Sequence, residues 1–220
     1  MTTNEEQAVI PRPLAVRELA DVDPMDLSTP LWAGEQVILR GVEPDDWDAF
    51  LGFESSSLYQ RAWERVTAPR SAENCREWLR QEAAKDPSDD NRILVIADRE
   101  RRAVVGCVNV TQADPIAGRF NAGVMIAPDH HRKGYAREAI ILSLAYMFGE
   151  RRYQKCQVYI HDFNEASQAL VRSIGFTLEG RLRRHDFFGG RYHDNLVFGL
   201  LAEEYFAAYG TGRTAAELGS

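Results

Sequence analysis

Apolar residues recur along this chain at intervals that switch between two and three-to-four residues, so its elements can be read before anything else is known. Glu35-Gln36-Val37-Ile38-Leu39-Arg40 predicts a first strand. Glu43-Pro44-Asp45-Asp46 opens a helix, because proline and acidic side chains suit a first turn whose N–H groups lack partners. Ser71 caps a second helix, Ala72 to about Ala84, which stops before Asp86-Pro87-Ser88. Ile93 to Asp98 and Ala103 to Gln112 are β-rich runs joined by the charged turn Arg99-Glu100-Arg101-Arg102, a hairpin. Asn121 to Ala127 is a third apolar run, stopped by Pro128. From Gly134 to Phe148, Ala136, Ile140, Ser143, Leu144 and Met147 fall on one helical stripe. Cys156 to Ile160 predicts a strand, Asn164 to Ile174 a helix closed by Gly175, and Phe176 to Phe188 a long strand. Arg191 to Leu201 is its hairpin partner across Gly189-Gly190. The order β-α-α-β-β-β-α-β-α-β-β is that of a single mixed α/β domain.

Composition narrows the reading. The 220 residues are 45% hydrophobic and 27% charged, enough for one domain with a real core. No apolar run approaches the roughly 20 residues needed to cross a bilayer, and the first residues show neither a basic nor an apolar targeting segment. No membrane association is therefore expected. Cys75, Cys107 and Cys156 are widely spaced without a CxxC pair, which points to free thiols, no metal site and a cytoplasmic setting. The net charge of −7 argues against nucleic acid as a partner, since affinity for it rests on a basic face, and makes cationic substrates the easier match. Residues 1 to 36 hold seven acids and two bases and so contribute −5 of that charge. With Pro11, Pro13, Pro24 and Pro30, residues 1–34 read as an acidic extension, flexible or draped over a domain at 35–208, with 209–220 as a tail.

The chemistry concentrates at Val124-Met125-Ile126-Ala127-Pro128-Asp129-His130-His131-Arg132-Lys133-Gly134-Tyr135-Ala136. A strand ends, a polar loop turns, and a helix begins at a glycine. Free N–H groups at a helix start hold anions, glycine admits a ligand to the backbone, and Arg132 and Lys133 add attraction. The segment lacks both GxxxxGK[ST] and GxGxxG, so neither a P-loop nor a dinucleotide fold is indicated.

His131-x-x-Gly134-x-Ala136 resembles the acyl-CoA pyrophosphate signature of the GNAT superfamily of N-acetyltransferases, Gln/Arg-x-x-Gly-x-Gly/Ala, with histidine in the variable first slot. Asn164-Glu165-Ala166-Ser167, then Gly175-Phe176-Thr177-Leu178-Glu179-Gly180, resembles the RimJ/RimL branch, as do Gly190-Arg191-Tyr192-His193-Asp194 and Leu196 to Tyr205. The similarity spans roughly residues 36 to 206. It implies a GNAT fold: a mixed, mostly antiparallel twisted sheet with helices on both faces and a splayed central strand pair. Acetyl-CoA is then the co-substrate. Its pyrophosphate is expected on His131, Arg132, Lys133, Gly134, Tyr135 and Ala136, and its pantetheine arm beside Met125 and Ile126 and against Asn164, which also suits N-capping.

The same resemblance assigns expectations for catalysis. The tyrosine that many of these enzymes use to protonate the leaving thiolate is replaced by Val171. Ser167, which matches the RimJ/RimL serine one turn into its helix, is the candidate acid, with plain helix packing as its other reading. Asn121 stands where relatives often carry a glutamate base, so Asp186, at an acidic position of that pattern, is the candidate base, working through water. His185 and Asp194 are the runners-up, and Glu179 reads as a structural turn residue. Strand alternation puts Arg184 and Phe188 on the face of Asp186 and His185 on the other, so His185 and Asp186 share a face only across a bulge.

The acceptor is expected between Phe53–Arg70 and the hairpin Phe187–Tyr192. Trp47, Phe50, Phe53, Tyr59 and Trp63 either stack a ligand there or form helical core, and Asp45, Asp46, Glu54 and Asp194 either attract an amine or are merely solvated. A protein N-terminus and a small-molecule amine both remain open as acceptors, as does a non-catalytic acyl-CoA-binding module. The oligomeric state, a homodimer included, is also open.

Overall fold

In the computed structural model, which describes residues 30–54, 57, 60, 61 and 65–210, the β-rich runs build one sheet. Its strands are β1 (Val37–Gly41), β2 (Arg92–Asp98), β3 (Val104–Asp114), β4 (Arg119–Ile126), β5 (Lys155–His161), β6 (Thr177–Phe188) and β7 (Arg191–Leu201). They lie in the order β1-β2-β3-β4-β5-β7-β6. Every neighbouring pair is antiparallel except β4 and β5. The helices are α1 (Trp47–Glu54), α2 (Ala72–Ala83), α3 (Tyr135–Ala145), α4 (Glu165–Ile174) and α5 (Ala202–Tyr209). None is long and apolar enough to cross a membrane among the described residues.

Each helix stands where local chemistry starts or stops it. A 3-10 turn at Pro44–Asp46 precedes α1, and Asp46 closes it by accepting the Glu43 N–H at 2.8 Å. Ser71 caps α2, its Oγ accepting the Asn74 N–H at 3.1 Å. The stripe read from 134 to 148 forms α3 but ends at Ala145 and passes into a π turn, Tyr146–Glu150. Helix α5 continues straight out of β7, where the apolar run had read only as hairpin and tail. Leucine occupies the capping position, so no Ser, Thr, Asp or Asn marks the start. The Glu204 carboxylate accepts the Leu201 N–H at 2.9 Å instead.

The largest core cluster packs α3, α4 and α5 on one face of β5 and β7, around Phe120, Leu144, Met147, Ile174, Phe198 and Leu200. A second cluster seats α1 and α2 on β2 and β3 through Phe50, Phe53, Cys75, Leu79, Val95 and Cys107. Helices therefore cover both faces. At Gly106 a Cβ would lie 2.1 Å from the Met125 carbonyl oxygen, so glycine lets β3 approach the end of β4.

The described end of the leader packs on this body. Leu31 joins the large cluster, Trp32 sits 4.8 Å from Tyr146 ring to ring, and Leu39 donates its N–H to the Trp32 carbonyl at 2.8 Å. Residues 1–29 and 211–220, which carry most of the expected extension and tail, lie outside the described residues.

One carboxylate joins this entry segment to α3. Glu138 is 6% exposed and accepts the backbone N–H groups of Glu35, Gln36 and Val37, the last two at 3.0 Å. Glu138→Ala strands those buried donors. It is expected to lower the unfolding free energy by about 3 kcal/mol, seen as a drop of roughly 6–12 °C in Tm. A drop of less than about 1 kcal/mol in urea unfolding would show the contact to be incidental. The three cysteines are free and buried, and burial raises all three thiols, Cys107 to about 12. They should stay unreactive toward a disulfide reagent in the native protein near pH 8 and all react on unfolding.

Candidate active site

Strands β4 and β5 run together for only three residue pairs, Arg119 with Lys155, Phe120 with Cys156 and Asn121 with Gln157. Beyond Asn121 they part, and β4 keeps only β3 as a partner. The opening continues into a cleft of about 830 Å³ lined by Val124 to Ile126, His130 to Arg137 and one side of α4 from Phe163 to Ser173. No cluster of side chains able to hold a metal ion occurs among the described residues.

The β4–α3 turn is shaped by backbone. A 3-10 turn at Pro128–His130 leads to Arg132 at φ 60° and Gly134 at φ 84°, both left-handed, and α3 starts at Tyr135. At Gly134 a side chain would be strained by that φ, and its Cβ would sit 3.1 Å from Gln36 Nε2. Alternating backbone hand turns successive N–H groups inward, and those of the first turn of α3 have no partner within the helix. Arg132, Lys133 and Arg137 stand around them on the cleft wall. His131 Nε2 lies 2.8 Å from the Ile126 carbonyl oxygen, pinning the turn to the end of β4. Tyr135 pins the other side: its hydroxyl donates to Asp98 at 2.6 Å, a bond that raises the phenol and lowers the carboxyl.

Across the cleft, Asn164 caps α4, its Oδ1 accepting the Ser167 N–H at 3.1 Å. Both residues line the cleft. The structure thus gathers Met125, Ile126, His131, Arg132, Lys133, Gly134, Tyr135, Ala136, Asn164 and Ser167 around one opening. Asp186 is not among them.

Asp186 belongs to a separate polar cluster reached through Phe163. The Phe163 ring lines the cleft and lies 5.4 Å from His161, 5.6 Å from Phe188 and 5.2 Å from His193. His161 pairs with Asn195, and Asp186 pairs with His193. Cross-strand partners share a face, so all four side chains belong to the face opposite Ile160, Leu196 and the α3–α4 core. His161, His193 and Asn195 are each 7% exposed. Sequence reading missed His161 and Asn195. The signal was present in their two-residue phase with Tyr159 and His193, but nothing in the spacing told which face is polar.

A bulge builds this cluster. The register of β6 on β7 jumps from Leu182 opposite Asn195 to Asp186 opposite His193, so β6 carries two extra residues. Asp194 holds the bulge: its Oδ1 accepts the Arg184 N–H at 2.7 Å and its Oδ2 accepts from Arg181. Arg184, at φ 52°, leaves the face that alternation assigns it and lies 5.2 Å from the Tyr192 ring. The bulge also lets His185 Nδ1 reach Asp186 Oδ2 at 3.1 Å. Burial raises the Asp186 carboxyl, but hydrogen bonds from His185 and Asn195 and the charges of His185 and His161 outweigh it and hold the carboxyl below its ordinary value.

The other expected groups are structural. Asp46 takes both Arg40 guanidinium nitrogens, Glu54 pairs with Arg70 at 3.2 Å, and Glu179 pairs with Lys155 at 2.7 Å. Phe50 and Phe53 are core, and Trp47 carries Arg76 4.0 Å from its ring. Asp45 is exposed, and Asn121 donates to Gln112 at 2.9 Å. Tyr59 and Trp63 lie outside the described residues.

Comparison with known proteins agrees with this architecture. An uncharacterized N-acetyltransferase, YokL of Bacillus subtilis (strain 168), is 32% identical over 179 residues, covering 81% of this chain and 97% of its own length. Spermidine N(1)-acetyltransferase of Escherichia coli (strain K12) is 26% identical over 122 residues, 56% of this chain and 64% of that protein. A crystal structure of spermidine N-acetyltransferase from Vibrio cholerae, in complex with CoA and spermine, superposes with a TM-score of 0.70 at 24% identity, covering 78% of this chain and 99% of the other. The acetyltransferase (GNAT) domain matches residues 36–177. With its parted central strands and the glycine turn between them, the chain belongs to the GNAT acetyltransferase family and is an N-acetyltransferase.

Proposed function

We propose that this chain binds acetyl-CoA in the β4–β5 cleft and moves the acetyl group directly to the primary amine of a small molecule, as a RimJ/RimL-like member of its family. The cleft carries the reading, because it offers an anion-binding turn, an unpaired strand edge and a hydroxyl along one opening. Acetyl-CoA supplies a thioester whose carbonyl is open to attack by a neutral amine.

Each part of the wall suits one part of that task. The N–H groups at the start of α3, with Arg132 and Lys133, grip the pyrophosphate. The free edge of β4 at Met125 and Ile126 pairs with the pantetheine amides as an added strand does. A β4 N–H polarises the carbonyl. Ser167 Oγ gives the departing thiolate its proton. The ammonium proton leaves toward the Asp186 cluster on the far side of Phe163. A small amine is supported by the spermidine acetyltransferase relatives.

Isothermal calorimetry tests the donor site. The wild type should bind coenzyme A with micromolar affinity, and Gly134→Val should weaken binding at least about tenfold, the equivalent of 1.4 kcal/mol, by straining the turn. No affinity in the folded wild type would overturn the reading. Release of coenzyme A should be followed with spermidine, putrescine, tyramine and an alanine-initiated hexapeptide, and one of the small amines should be the best acceptor. Preference for the hexapeptide would move the assignment to protein N-termini. Ser167→Ala should lower kcat about 100-fold with coenzyme A affinity unchanged. Unchanged turnover would remove Ser167 from the chemistry.

A further inference from the structure

Among the described residues, every group paired with the Asp186 carboxylate reaches the same oxygen. His185 Nδ1 and Asn195 Nδ2 each lie 3.1 Å from Oδ2, and His161 Nε2 lies 3.3 Å from it. A carboxylate so shared is a weak proton acceptor and a strong orienting anion. His161 stands at the end of β5 with its ring stacked on Phe163 at an interplanar angle of 6° and Phe188 against its edge at 75°. Nε2 is the ring nitrogen nearer Asp186, in an ion-pair contact rather than a hydrogen bond; the carboxylate favours the proton there, which leaves the lone pair to Nδ1. The neighbouring His193 is occupied on both nitrogens, since Nε2 accepts from Arg191 Nε at 3.3 Å and Nδ1 faces Asp162 Oδ1 at 3.5 Å. Asn195 supplies a second, independent sign: its amide nitrogen serves Asp186, while its buried Oδ1 accepts no hydrogen bond among the described residues. A buried acceptor left open calls for a donor.

We propose that His161 takes the proton from the acceptor's ammonium, that Asp186 is the positioning residue that orients its ring, and that Asn195 Oδ1 receives another N–H of the same amine. This assignment rests on the acetyl-transfer reading and specifies the groups within it. The ammonium gives one proton to His161 Nδ1, and the freed nitrogen lone pair forms the C–N bond to the thioester carbonyl carbon. As the C–S bond breaks, its electron pair leaves on sulfur. The second proton released from nitrogen is balanced by the one that sulfur gains through Ser167, and the imidazolium returns its proton to solvent. The charged and titratable groups around the ring are Asp186 and His185 from β6, His193 and Arg191 from β7, and Asp162 from its own turn.

Steady-state rates across pH with spermidine, tyramine and the hexapeptide, together with 15N-histidine NMR, test this. In the wild type, kcat/KM should rise with pH along a limb set by the group that takes the ammonium proton. His161→Gln should lose that limb and about 100-fold or more in kcat/KM, with coenzyme A affinity by calorimetry unchanged. His161→Ala should be rescued by added imidazole. The NMR spectrum should show the His161 ring as the Nε2–H tautomer, a preference that Asp186→Asn abolishes while keeping part of the pH limb. An active wild type whose rate and pH profile are indifferent to His161→Gln overturns this assignment alone, as does an Nδ1–H ring. A wild type that binds coenzyme A but acetylates none of these amines overturns the acetyl-transfer reading and this assignment with it.

Discussion

The molecule depends on a pairing that stops early. Parallel β4 and β5 exchange hydrogen bonds over three residue pairs and then separate, leaving polar backbone without a strand partner in the interior of the sheet. An open edge in the middle of a sheet is unfavourable unless something else bonds to it. The rings of Phe148 and Tyr153 pack 5.7 and 5.4 Å from that of Phe120, where the strands are still paired, and α3 and α4 pack on one face of the two strands. The architecture thus keeps a strand-shaped gap open, and the β4–α3 turn lies at its end.

The two halves of the site differ in kind. The proposed donor side is mostly backbone: left-handed residues, a helix start and a free strand edge, with Tyr135 and His131 bracing the turn. The proposed acceptor side is side chains: imidazoles, an amide and a carboxylate in a buried layer behind Phe163. Backbone recognition tolerates changes of side chain, whereas the polar layer is specific to the residues that compose it.

The difference also explains what could be read in advance. Strands and helices were legible because alternation and capping are local, as at Ser71 and Asn164. The glycine turn was legible because Gly134 combines with two cations and a strand stop within a few residues. Helix α5 was hidden because an apolar run passes from strand to helix without a polar cap. The polar layer was hidden for another reason: His161 and Asn195 lie 34 positions apart in the chain and meet only through the register of β5 on β7. Asp186 was singled out through resemblance, but its partners follow from the bulge, and no local signal announced a two-residue insertion opposite His193 and Asn195.

That insertion has an arithmetic side. Because side chains alternate, one additional residue would have turned everything beyond it inside out, so that Asp186 and Phe188 exchanged sides with Phe187. Two restore the original parity: Leu182 before the irregularity and Asp186 after it both look toward the imidazoles. The hairpin tip can therefore grow or shrink by even steps while the inward-facing set stays inward. Odd steps would dismantle the layer without disturbing a single core contact.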